Sequence, residues 1–117
     1  MNKQYAPGLH LLIDFWGADQ PTDLHQVEFL LREAAEACGA RVLEVRLHSF
    51  GDAGGVTGVA ILAESHISLH TWPEHDFIAL DIFLCGDRDA APALKVLKSG
   101  LSPKHVNVSE IRRGHDN

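Results

Sequence analysis

Two runs, Val56-Thr57-Gly58-Val59-Ala60-Ile61-Leu62-Ala63 and Phe77-Ile78-Ala79-Leu80-Asp81-Ile82-Phe83-Leu84, are apolar at odd and even positions alike. Runs this short, rich in β-branched and aromatic side chains, read as strands rather than helices. Apolar residues on both parities predict strands buried on both faces. Between them lies a shorter strand-like segment, Ile67 to Thr71, with Ile67 and Leu69 on one side and Ser68 and His70 on the other. Pro73 has no amide hydrogen to give a ladder and limits its continuation.

The rest of the chain fits around this centre. Leu9, Leu11, Ile13 and Phe15 alternate with other residues and predict a first strand. Pro21 and Thr22 open a helix carrying Leu24, Val27, Leu30, Leu31, Ala34 and Ala35 at three- and four-residue spacing, and Gly39 is placed to end it. Leu43, Val45 and Leu47 predict a second strand, and Gly51-Asp52-Ala53-Gly54-Gly55 is a strong turn signal. A second helix begins near Asp89 to Pro92, packs through Ala93, Leu94 and Leu97, and stops at Gly100. Val106 and Val108 suggest a last strand, and only Arg113 to Asn117 lacks an ordered pattern.

This order of elements predicts an α+β two-layer sandwich, a mainly antiparallel sheet with two helices on one face. Two helices cannot cover both sides of such a sheet, yet its middle strands are apolar on both. The uncovered face therefore calls for a partner, and two copies packed face to face supply one, giving a homodimer layered αββα.

A chain of 117 residues is one domain's worth, here residues 1–117. A net charge of -6 argues against a nucleic-acid surface, which needs clustered Lys and Arg. Cys38 and Cys85 have no framework spacing and read as free thiols. No segment approaches the length of a membrane span and Met1 to Gly8 carries no apolar run, so the expectation is a cytoplasmic protein without a membrane partner.

The residues with chemical potential cluster in Ala63-Glu64-Ser65-His66-Ile67-Ser68-Leu69-His70-Thr71-Trp72-Pro73-Glu74 and, downstream, Leu84-Cys85-Gly86-Asp87. Taken singly they have ordinary explanations. A serine between strands is usually a turn residue, and a cysteine ending an apolar strand is usually an inert small hydrophobe. His70 is harder to explain away, because it stands on the polar side of a short strand in an otherwise apolar sheet. An imidazole there suits proton transfer near neutral pH.

Read together, Glu64-Ser65-His66-x-x-x-His70-Thr71-x-Pro73-Glu74 and the Cys85 that follows resemble the self-cleaving S-adenosylmethionine decarboxylases of the short bacterial and archaeal type. The similarity runs from Gly8-Leu9-His10 to Arg113-Gly114. It implies cleavage between Glu64 and Ser65, yielding residues 1–64 and residues 65–117. Ser65 would become a covalent pyruvoyl group that forms a Schiff base with the substrate amine. The resemblance also gives His70 the part of processing base, Thr57 that of a second processing hydroxyl where the family commonly has serine, and Cys85 that of proton donor. Phe50 and Glu74 match a base-stacking ring and a ribose-binding carboxylate. The implied product is the aminopropyl donor for spermidine biosynthesis, made in a homodimer with active sites near the interface.

The loop from Phe50 to Thr57 departs from the family pattern, being one residue longer than typical and lacking the usual proline. Its Asp52 would suit a basic amino acid, and some members of the family decarboxylate ornithine or arginine instead. Two readings of other classes compete. A zinc site from His66, His70 and His75 would need a helix to bring those spacings together, and the intervening Ile, Ser, Thr and Pro argue for a strand. A non-catalytic dimeric metabolite-binding module would be expected to have lost Ser65, His70 or Cys85, and all three are present.

Overall fold

The structure, a computed structural model, describes residues 8–86 and 88–114. Its elements run β1 (Gly8–Trp16), α1 (Leu24–Ala37), β2 (Val42–Ser49), β3 (Val56–Leu62), β4 (Ser65–Trp72), a 3-10 turn (Pro73–His75), β5 (Phe77–Cys85), α2 (Ala91–Leu101) and β6 (His105–Arg113). The six strands form one sheet in the order β2-β3-β4-β5-β1-β6, and every neighbouring pair is antiparallel. Helix α1 packs on α2 and on β2, β3 and β4. The α+β reading with two helices over an antiparallel sheet therefore holds. No helix among the described residues is long and apolar enough to cross a membrane.

Local chemistry explains most boundaries. The Asp23 side chain accepts a hydrogen bond from the Gln26 amide at 2.8 Å, so α1 starts at Leu24 and Pro21 and Thr22 stay outside it, later than expected. Gly39, at φ 75°, turns the chain away after the helix as its position suggested. Helix α2 does not stop at Gly100 but continues to Leu101, and Ser102 takes the left-handed cap at φ 44°. Gly100 serves packing instead: a Cβ there would lie 2.5 Å from Leu30 Cδ1, so its absence lets α2 close on α1. Strand β4 is longer than the expected Ile67 to Thr71, because its ladders with β3 and β5 take in His66 and Trp72 as well. Arg113 closes β6, and residues 115–117 lie outside the described residues.

Alternation along the strands puts Ile13 and Phe15 of β1, Ala60 and Leu62 of β3, Ile67 and Leu69 of β4, and Ile78, Ile82 and Leu84 of β5 on the helix side, where all are buried. The expectation that β3 and β5 are buried on both faces is corrected within one chain. Thr57, Val59, Ala79, Asp81 and Phe83, on the opposite parity, are only half-buried. The reason is that both helices lie on one side. On the other side Leu12, Trp16, Ile61, Trp72 and Ile111 remain 39–43% exposed.

The helix layer supplies a first test. Leu31 of α1 is fully buried, whereas Phe29 of the same helix is 67% exposed. Leu31→Ala should cost about 2–5 kcal/mol in chemical denaturation. Phe29→Ala should stay within about 0.5 kcal/mol.

Candidate active site

Ser65 opens β4 directly after a two-residue hairpin turn, Ala63-Glu64, that joins it to Leu62 of β3. Glu64 is one of the few non-glycine residues with positive φ, at 64°. A left-handed residue with a Cβ costs about 1–2 kcal/mol, and here that strain sits on the residue just before Ser65. The Cys85 amide, at the end of β5, donates to Ser65 Oγ at 3.1 Å. The Cys85 thiol donates to Glu64 Oε1, also at 3.1 Å. That hydrogen bond, helped by burial and by the negative charge of Glu64, pushes the Cys85 thiol above its ordinary pKa. Glu64, Ser65 and Cys85 thus form one group: a left-handed backbone residue, an oriented hydroxyl and a protonated thiol.

A second group lies toward the other end of β4. Thr57 and His70 are direct partners across the β3–β4 ladder, and Thr57 Oγ1 shares a hydrogen bond with His70 Nδ1 at 3.1 Å. Beside them opens a cavity of about 440 Å³ lined by Phe50, Gly55, Thr57, His70, Trp72 and Glu74 among others. The turn signal at Gly51 to Gly55 builds its rim. A Cβ at Gly55 would lie 2.0 Å from the Thr71 carbonyl oxygen, so only glycine lets the loop come down onto β4. The Thr71 hydroxyl accepts from the Val56 amide at 2.8 Å and fastens that approach. The ring of Phe50 is exposed and stacks edge-on against His48, their centroids 4.6 Å apart. Asp52 is exposed in the loop and is not among the residues lining the cavity.

The two groups do not meet within one chain. Five residues of strand separate Ser65 from His70, about 16 Å at roughly 3.3 Å per residue. The family resemblance gives Ser65 and His70 roles in one processing reaction, but an extended backbone carries them to opposite ends of the strand.

Between the groups, on the open face of the sheet, stands a polar network that the sequence reading did not single out. Asp81 of β5 accepts from His10 Nε2 at 2.6 Å and from His66 Nε2 at 2.8 Å through one oxygen, and from the Ser68 hydroxyl through the other. Burial pushes the Asp81 carboxyl up, but the bonds from Ser68, His10 and His66 outweigh it and hold the group below the ordinary carboxylate range. The ligand atoms of His10, His66 and Asp81 lie within 4.8 Å of one another, a donor set able to hold a metal ion. Arg113 donates to His10 Nδ1 at 3.0 Å, which leaves the ring proton on Nε2 facing Asp81. Asp81 thus gathers His10, His66 and Ser68 into one hydrogen-bond network, with Arg113 on its outer side. The histidines weighed earlier as a zinc set diverge: His66 and His70 share the open face at different levels and His75 lies in the 3-10 turn. The readable signal for the network was a polar residue on the same parity of three apolar strands.

Residues 9–114 match the family described as S-adenosylmethionine decarboxylase. The chain is 43% identical over 113 residues to an S-adenosylmethionine decarboxylase proenzyme of Methanococcus aeolicus, covering 92% of this chain and 93% of that one. A protein of the same description from Thermomicrobium roseum is 35% identical over 108 residues, with 92% and 93% covered. The crystal structure of the adenosylmethionine decarboxylase from Aquifex aeolicus superposes with a TM-score of 0.87 at 32% identity, covering 97% of this chain and 95% of that one. With its sheet order, its strained Glu64-Ser65 turn and similarity along nearly its whole length, the chain belongs to the S-adenosylmethionine decarboxylase family.

Proposed function

We propose that this chain cleaves itself between Glu64 and Ser65 and then decarboxylates S-adenosylmethionine with a pyruvoyl group made from Ser65. The observation that carries this reading is the group at the hairpin tip: a serine with an oriented hydroxyl, preceded by a left-handed glutamate and flanked by a thiol. Those residues fit the group. The Ser65 hydroxyl attacks the Glu64 carbonyl carbon and an ester replaces the peptide bond. Removal of the Ser65 α-proton then expels the Glu64 carboxylate and leaves dehydroalanine, which water converts to the ketone with loss of ammonia. The finished pyruvoyl group would supply an electron sink for the pair that carbon dioxide leaves behind.

The chain's own residues do the rest. Cys85, held as a thiol, would return a proton to the substrate carbon. Phe50 offers an exposed ring for a purine, and Glu74 a carboxylate for ribose hydroxyls, both at the cavity that His70 and Thr57 line. The cut also suits the fold. Residues 1–64 keep β1, β2 and β3, residues 65–117 keep β4, β5 and β6, and β1 lies between β5 and β6. Three ladders therefore cross between the pieces, β3–β4, β5–β1 and β1–β6, and the cleaved protein stays one body.

Since Ser65 and His70 of one chain lie at opposite ends of β4, a second copy completes the site. A two-fold axis lying along the open face and perpendicular to β4 would set the Ser65 end of one protomer against the His70 end of its partner, with the same patch used twice. The exposed Leu12, Trp16, Ile61 and Trp72 on that face would be covered in the dimer.

Intact mass spectrometry should show residues 1–64 and a ketone-bearing 65–117, while Ser65→Ala stays intact, folded and inactive. A Ser65→Ala protein that decarboxylates normally overturns the cofactor assignment. His70→Ala should stall at the ester, so hydroxylamine should split it. Ser65→Ala and His70→Ala chains, each inactive alone, should recover about one quarter of wild-type activity when co-expressed, since half the dimers are mixed and each has one intact site. No recovery sinks the shared site. Carbon dioxide release should occur from S-adenosylmethionine. Release from ornithine or arginine alone would overturn the substrate, and Asp52→Asn should then weaken binding of the basic amino acid.

A further inference from the structure

Glu64 and Cys85 touch across the bond that breaks. The Cys85 amide is fixed on Ser65 Oγ at 3.1 Å and its sulfur on Glu64 Oε1 at 3.1 Å, so the thiol stands beside the residue that processing turns into an electrophile. Dehydroalanine carries a CH2 carbon that accepts sulfur nucleophiles, and a thiolate is the reactive form of cysteine. If the Cys85 sulfur added to that carbon, Cα would take up a proton and no atom would be lost. The product would be a thioether between residues 65 and 85, with no ketone and no free thiol. The productive course instead adds water and releases ammonia.

We infer that Glu64 is a guard on self-processing: its carboxylate engages the Cys85 S–H and holds the sulfur beside itself while residue 65 passes through dehydroalanine. This rests on the assignment of Ser65 as the processed residue. It gives Glu64 a part beyond supplying the carbonyl that Ser65 attacks, as a positioning residue for the thiol. The electrostatics agree, because the hydrogen bond to Glu64 is the largest influence raising the Cys85 thiol, followed by burial and the Glu64 charge. The Ser65 hydroxyl and the Arg88 guanidinium pull the other way. A raised thiol pKa means that thiolate forms only at higher pH, so the guard is strongest at and below neutral pH. Removing the carboxylate lowers that pKa and raises the thiolate fraction at any given pH.

The test is Glu64→Gln, which keeps a side chain of similar size and removes the charge. Cys85 is the only cysteine of residues 65–117, so that piece has one thiol to count. After processing at a series of pH values, its ketone is read with a hydrazide probe and its thiol with iodoacetamide, both by intact mass. Wild type should carry one ketone and one thiol. Glu64→Gln should yield a fraction with neither, lighter than the ketone form by the exchange of NH for O. That fraction should rise with pH, as thiolate grows roughly tenfold per unit below the thiol pKa. A cleaved Glu64→Gln protein with full ketone and thiol at every pH overturns the guard. Should Glu64→Gln fail to cleave, Cys85 alkylation is followed against pH in the Ser65→Ala background. There Glu64→Gln must shift the profile to lower pH, and an unchanged profile overturns the guard. Wild-type chains that never cleave would instead sink the assignment of Ser65, while the alkylation profile still reports on the contact of Glu64 with Cys85.

Discussion

Two helices cannot cover both faces of a six-stranded antiparallel sheet. In this protein α1 and α2 lie on one side, and the apolar residues of that parity form the core. The face left open carries His70, Thr57 and the polar network around Asp81. It carries large apolar side chains that water does not favour, together with a hydrogen-bond network of His10, His66 and Ser68 around Asp81. Such a surface is neither a core nor an ordinary solvated exterior. A second copy covering it would turn a half-finished protomer into a complete site.

The hairpin between β3 and β4 concentrates the chemistry because a turn is the one place where the sheet tolerates both strain and a break. Within a strand, breaking a peptide bond would interrupt two ladders. At Glu64-Ser65 a break would open a loop whose flanking strands are already paired, and β1, locked between β5 and β6, would tie the pieces together. The left-handed backbone of Glu64 is affordable there because the ladders on either side over-determine it. Its side chain then falls within reach of Cys85, at the end of the adjacent strand β5, and one residue joins the strain at the bond to the state of the thiol.

Much of this was legible in the residues. The alternation of Leu11, Ile13 and Phe15, the helical spacing of Val27, Leu30, Leu31 and Ala34, and the glycines at 51, 54 and 55 act through local backbone geometry, so short windows reveal them. Boundaries set by distant contacts were not legible. Gly100 reads as a helix stop, yet it is a contact point for Leu30, seventy residues earlier in the chain. Strand β4 reads as five residues because Pro73 argues against its continuation and Ser65 and His66 are poor local evidence for a strand, while two neighbouring ladders make it eight. Asp81 is one charged residue within an apolar run, and its partners come from β1 and β4.

The candidate site divides in the same way. By itself the sequence determined the chemical inventory: a serine after an acidic residue, a histidine on a polar strand side, a thiol before a glycine, and too few helices for the sheet. These are properties of residue type and short-range order. Only the tertiary structure decided which of them meet. It set Ser65 against Cys85 and Glu64, set Thr57 against His70, and held the two pairs at opposite ends of β4. The reason is geometric, because strand register and rise are fixed by hydrogen bonds between segments far apart in the chain, and no window of sequence contains both partners of those bonds.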